Sequence, residues 1–109
     1  MTQYLIKVAK CNGAHEDTLQ QTCLFYVSRD DRVELTKLFL ESGCKPNHVD
    51  SYGQTPIFYA AREGNLQVLI LLLEAGADCD HIDNEGHTPL FYAVKYGKHP
   101  VIQHLIKNC

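Results

Sequence analysis

Between Leu66 and Glu74 the chain reads Leu-Gln-Val-Leu-Ile-Leu-Leu-Leu-Glu, a nearly continuous apolar stretch in which only Gln67 and Glu74 suit water. A helix apolar almost all round has to be buried on several sides. Ahead of it stands Thr55-Pro56, a helix-start signal: the Thr hydroxyl can cap the first turn, and Pro at the first helical position gives up only an N–H that has no intrahelical partner. A helix is predicted from there to about Glu63, where Gly64 permits a left-handed turn, and the second helix, from about Leu66 to Glu74, stops at Gly76 by the same device. The pattern therefore predicts a helical hairpin.

The hairpin recurs. Gly53-Gln54-Thr55-Pro56-Ile57-Phe58-Tyr59-Ala60 returns as Gly86-His87-Thr88-Pro89-Leu90-Phe91-Tyr92-Ala93, and Thr22-Cys23-Leu24-Phe25-Tyr26-Val27 fits the same frame of thirty-three residues. A fixed period of this size means a solenoid, in which no unit is stable alone and neighbours bury one another's apolar faces. Outside the repeat, Tyr4, Leu5, Ile6, Val8 and Ala9 predict a short helix over Thr2 to Lys10, stopped near Gly13, that caps the first unit. At the other end Val101, Ile102, Leu105 and Ile106 have no following unit to cover them. That predicts a chain cut from a longer one, with self-association through the third unit or a gain in stability when residues beyond Cys109 are restored.

These residues resemble the ankyrin repeat. The second unit matches its pattern most fully, at Asp50, Gly53, Thr55-Pro56, Ala60-Ala61, Gly64, Val68, Leu71-Leu72-Leu73 and Gly76-Ala77-Asp78. The third keeps Asp83, Gly86, Thr88-Pro89-Leu90, Ala93, Gly97, Val101 and Leu105-Ile106; the first is degenerate, with Gln20, Cys23 and Asp31 where the others have Gly, Pro and Gly. The resemblance implies an all-α ankyrin-repeat solenoid of stacked helix-turn-helix hairpins joined by short hairpin-like loops. It is one domain over 1–109: a capping helix over 1–16, and units over 17–49, 50–82 and 83–109, the last truncated.

The resemblance also implies a function. Ankyrin domains hold other proteins on a concave surface made by the loop tips and one face of the first helices. By register that surface includes Leu19, Arg29, Tyr52, Gln54, Arg62, Glu63, His87, Lys95 and Tyr96. Exposed Tyr is a frequent interface anchor, which singles out Tyr52 and Tyr96. Arg29, Arg62 and Lys95 form a column of cations broken by Asp30 and Glu63, suiting a partner of alternating or net acidic charge. The expected role is a non-catalytic protein-interaction module with a protein or peptide partner. The alternative is an ancillary domain of a larger enzyme, such as a histone lysine methyltransferase or kinase, reading methyl-lysine if a Tyr of the ladder Tyr26, Tyr59, Tyr92 completes an aromatic cage beside Tyr52 or Tyr96. One departure stands out: where the family has a His that ties neighbouring loops, this chain has Phe25, Phe58 and Phe91, so apolar packing is expected to replace that network and the Phe ladder to be core.

Composition narrows the field. Ten Lys and Arg against thirteen Asp and Glu, a net charge of −3, leave no basic stripe for nucleic acid. The longest apolar run, Val68 to Leu73, is too short to cross a membrane, and Met1-Thr2-Gln3 opens no signal peptide. Five cysteines without a Cys-x-x-Cys pair suggest a reducing compartment, cytoplasmic or nuclear, with Cys23, Cys44 and Cys79 acting as small apolar residues and no pair bonded. No phosphate loop, nucleophile elbow or His-Glu-x-x-His is present, Asp30-Asp31 lacks an acid–base partner, and His48 and His81 on adjacent loops do not complete a four-ligand metal site. No catalysis, cofactor or metal is expected within the chain.

Overall fold

The computed structural model describes residues 21–109. The expected capping helix and Leu19 lie outside the described residues. The described residues form six helices and no strand: α1 (Cys23–Arg29), α2 (Val33–Glu41), α3 (Pro56–Glu63), α4 (Leu66–Glu74), α5 (Pro89–Lys95) and α6 (His99–Asn108). Each hairpin pairs an inner helix with an outer one, α1 with α2, α3 with α4 and α5 with α6. Inner helices pack side by side, α1 on α3 and α3 on α5, and the outer row follows in the same order, α2 on α4 and α4 on α6. This is the predicted all-α solenoid.

Local chemistry sets the helix ends, with two departures from expectation. Pro56 and Pro89 open α3 and α5, and Gly64 closes α3 in the left-handed conformation at φ +77°. In the degenerate first unit Asp31 takes the left-handed position at φ +57°, a conformation that Asp tolerates better than most side chains. The Thr hydroxyls contribute less than expected. The Phe58 N–H goes to the Thr55 carbonyl at 3.0 Å, which leaves the Thr55 hydroxyl buried without a partner, and only Thr88 accepts through its side chain, from the Phe91 N–H at 3.4 Å.

The core runs along the seam between the two rows of helices. Leu24, Phe25 and Val27 of α1, Ile57, Phe58, Ala60 and Ala61 of α3, and Val68, Leu69 and Leu72 of α4 are buried. The all-round burial expected for α4 holds on one side only. Ile70, Leu71 and Leu73 are part-exposed, because α4 belongs to the outer row, with α3 beneath it, α2 and α6 beside it and solvent above.

The open end of the array differs from its sequence reading as well. Val101 and Leu105 are buried inside the third hairpin. Ile102 is part-exposed and Ile106 exposed, as expected, and the apolar surface beside them comes from Phe91 and Val94. Register explains this: Phe58 is 1 % exposed but its equivalent Phe91 is 40 % exposed, and Ala61 is fully buried but its equivalent Val94 is 58 % exposed. Each unit's side chains at these positions are covered by the unit that follows. The Phe ladder is therefore core at Phe25 and Phe58 and surface at Phe91.

Cysteine usage is a further correction. Cys79, in the loop after α4, and Cys109, just beyond α6, are joined in a disulfide with their Cα atoms 6.4 Å apart. Stacking brings together two residues 30 positions apart, which no local spacing reveals. Cys23 and Cys44 are buried, as expected of small apolar residues. Disulfides are rare where glutathione keeps thiols reduced, so the odd cysteine count is no guide to compartment.

Two outcomes follow. Leu72→Ala should cost about 2–5 kcal/mol in denaturant melts through lost transfer energy and a cavity, and Leu71→Ala clearly less. Thiol titration of the unfolded protein, prepared without reductant, should find two more thiols after reduction, and Cys109→Ser should lower stability by about 2–4 kcal/mol.

Candidate protein-interaction surface

The loops between hairpins are held by a carboxylate at the same place in each. Asp50 Oδ1 accepts the backbone N–H groups of Tyr52 and Gln54 at 2.9 and 3.0 Å, which folds the loop over its own side chain. Its other oxygen, Oδ2, accepts the Tyr59 hydroxyl at 2.6 Å and the Gln21 side-chain amide at 3.0 Å. The third unit repeats the arrangement: Asp83 Oδ1 accepts from Glu85 and His87 at 3.0 and 2.9 Å, and Oδ2 accepts the Gln54 amide at 2.9 Å and the Tyr92 hydroxyl. Each carboxylate thus joins its loop, its inner helix and the preceding unit.

This polar network overturns the expectation that apolar packing alone replaces the family's His. Both are present. Phe25 meets the Tyr59 ring edge-on at 5.6 Å and Phe58 meets Tyr92 at 6.0 Å, each across a unit boundary. His81 supplies another tie: its Nε2 lies 3.0 Å from the Gly53 carbonyl, which can only accept, so that nitrogen carries the proton. His81 also stands edge-on to Phe58, and His48 to Phe25. The loop histidines serve packing, and among the described residues no group of three or more His, Cys, Asp or Glu is placed to hold a metal.

The network sets the protonation of its members. Burial pushes the Asp83 carboxyl up, but the bonds from Tyr92, Gln54 and the His87 and Glu85 backbone outweigh it and hold the group at about 2. Burial, reinforced by the Asp83 hydrogen bond and charge, raises the Tyr92 hydroxyl to about 12. Tyr59 is pushed up likewise, by burial and by Asp50.

The residues picked out from the sequence separate into three places. Gln54 is half-buried and its amide is spent on Asp83 and, at 3.3 Å, on the Tyr92 hydroxyl. His87, its equivalent in the third unit, stacks on Phe91, ring centroids 3.8 Å apart. Tyr52 stands at a loop tip, 52 % exposed, its carbonyl accepting the Asn84 N–H at 3.1 Å. This approach is close: a Cβ on Gly53 would lie 2.4 Å from Asn84 Oδ1, so the tip accepts only glycine there.

At the far end of the inner helices, about 12 Å away along α3 at 1.5 Å per residue, the turns into the outer helices gather most of the remaining candidates. Arg62, Glu63 and Tyr96 line a groove of about 390 Å³ there together with Lys98, which the sequence reading missed. Arg62 lies 4.8 Å above the Tyr59 ring and pairs with Glu63 at 3.2 Å; Arg29 sits 5.3 Å above Tyr26 and 3.5 Å from Asp30. The Lys95 ammonium is 5.5 Å from the Tyr96 ring, which is 48 % exposed. Among the described residues no second aromatic ring packs beside Tyr52 or Tyr96. The cage required by the methyl-lysine alternative is not assembled there.

The family described as Ankyrin repeats (3 copies) matches residues 1–83 and again residues 24–109. The chain belongs to the ankyrin-repeat family. The match spans all three units, including the degenerate first. No curated protein matches the chain. Ankyrin-repeat domains are non-catalytic scaffolds generally used to bind proteins, and among the described residues no helix is long and apolar enough to cross a membrane.

The shifted groups predict how this ankyrin array responds to pH. Asp83 is held below its ordinary 3.8, so its contribution is complete above about pH 4 and lost as pH falls through about 2. Tyr92 is held above its ordinary 10, so its contribution is complete below about pH 10 and lost as pH rises toward 12. Denaturant midpoints across pH should therefore fall at both ends, and Asp83→Asn should flatten the acid limb.

Proposed function

We propose that this ankyrin-repeat chain is a protein-interaction module whose partner lies along the inner helices, from the loop tip at Tyr52 to the helix-turn edge at Tyr96. The observation that supports this reading is the contrast between the two tyrosine classes. Tyr59 and Tyr92 spend their hydroxyls on Asp50 and Asp83, and Tyr59 is buried. Tyr52 and Tyr96 are half-exposed, and their hydroxyls make no hydrogen bond among the described residues. Rigid, amphipathic rings on a scaffold that does not need them are what interface anchors look like. The alternative of an ancillary domain within a larger enzyme uses the same surface, with the partner supplied by its own parent protein.

Immobilised protein should capture a partner whose affinity falls by about 2 kcal/mol or more on Tyr52→Ala or Tyr96→Ala, with melting curves unchanged. Binding that survives both substitutions would remove this surface from consideration. Melting of both variants well below the parent would show that the rings belong to the fold.

A further inference from the structure

The three turns that join inner to outer helices carry different charge, and the difference runs in one direction. The first reads Arg29-Asp30-Asp31-Arg32, with Glu34 following in α2; the second Arg62-Glu63-Gly64-Asn65; the third Lys95-Tyr96-Gly97-Lys98. In the first two the cation of the column is answered by its neighbour, Arg29 by Asp30 at 3.5 Å and Arg62 by Glu63 at 3.2 Å. In the third, Tyr96 stands where the carboxylate would be. Lys95 has the Tyr96 ring at 5.5 Å, and among the described residues neither Lys95 nor Lys98 has a carboxylate within ion-pair distance. On a chain of net charge −3, this edge turns from acidic at the first unit to basic at the third.

Packing against the second unit places the stem of one of these cations. The Lys98 stem lies over Gly64, where a Cβ would approach its Cδ to 2.8 Å. A side chain longer than glycine's would press on that stem, so the second unit's glycine makes room for the third unit's lysine, which lines the groove with Arg62, Glu63 and Tyr96. Among the described residues, the one acid lining the groove, Glu63, is already paired with Arg62.

We infer that the partner of the proposed interaction surface is an acidic peptide segment whose Asp or Glu side chains seat on Lys95 and Lys98, with an apolar neighbour against the Tyr96 ring. This rests on the interaction-module reading and adds chemistry and direction to it. Glu63 in the same groove disfavours a compact dianion and favours single carboxylates spread along an extended chain. The acidic first turn disfavours continuation of the acidic run there, so the segment lies in one direction, acidic end toward the third unit.

Fluorescence anisotropy tests this with labelled peptides: a Glu-rich half bearing one Leu followed by a Lys-bearing half, the same composition in reverse order, and a phosphoserine version. The first should bind, weaken as salt rises, and lose about tenfold in affinity with Lys95→Glu combined with Lys98→Met, which keeps the stem over Gly64. The reversed peptide should bind more weakly. Equal binding of both orders, a loss under twofold in the double variant with unchanged melts, or tight binding of the phosphoserine peptide alone would overturn the inference. A captured protein partner sensitive to Tyr52→Ala but indifferent to the lysine variant would leave the interaction module standing and remove the acidic segment. Loss of capture in neither variant would count against both.

Discussion

The loop carboxylate at Asp50 and Asp83 is the constraint on which the other contacts rest. A buried charge is tolerated only when its lone pairs are filled, and here backbone, tyrosine and the neighbouring glutamine fill them together. Because the Gln comes from the preceding unit, the carboxylate's second oxygen is fully satisfied only when two units are stacked. The apolar seam supplies most of the driving force but would tolerate sliding, whereas the Gln to Asp and Tyr bonds accept one register.

That division of labour explains where the surface is free to vary. Side chains engaged across the boundary, such as Gln54, spend their amide donors there, while those beyond the network can change without disturbing the stack. The helix turns are such a place. Exchanging Glu63 for its equivalent Tyr96 from one unit to the next changes charge and shape and leaves the left-handed glycines at Gly64 and Gly97 untouched. Repetition fixes the frame, and departures from it carry the individuality of the chain.

The fold was legible because its signals are local and repeated. Thr55-Pro56, Gly64 and the apolar run from Leu66 announce helix boundaries that the structure reproduces, and the thirty-three-residue period declares their stacking. The polar network was half visible: Asp50, Tyr59 and Gln54 recur at fixed offsets, but nothing in one chain says that a recurring Gln points backward into the array and not out to a partner. Lys98 was missed because its position depends on the absence of a side chain at Gly64, a contact between units that no periodicity of its own residue type signals. The cysteine pair was hidden for the same reason, as stacking alone brings Cys79 to Cys109. Of Val101, Ile102, Leu105 and Ile106, read as one uncovered face from their place in the sequence, Val101 and Leu105 are buried and Ile106 is exposed, because burial follows which neighbour each side chain faces.

That covalent link has a bearing on how the array comes apart. Linear arrays loosen from their ends, where a terminal unit has one neighbour to hold it and opens at little cost before the middle does. Tethering the tail of α6 to the loop after α4 denies the last hairpin that independence, since its outer helix cannot drift away without dragging the second unit's loop along. With the disulfide closed, the third hairpin can separate from the second only together with that loop. With the disulfide reduced, non-covalent packing alone holds the two units together.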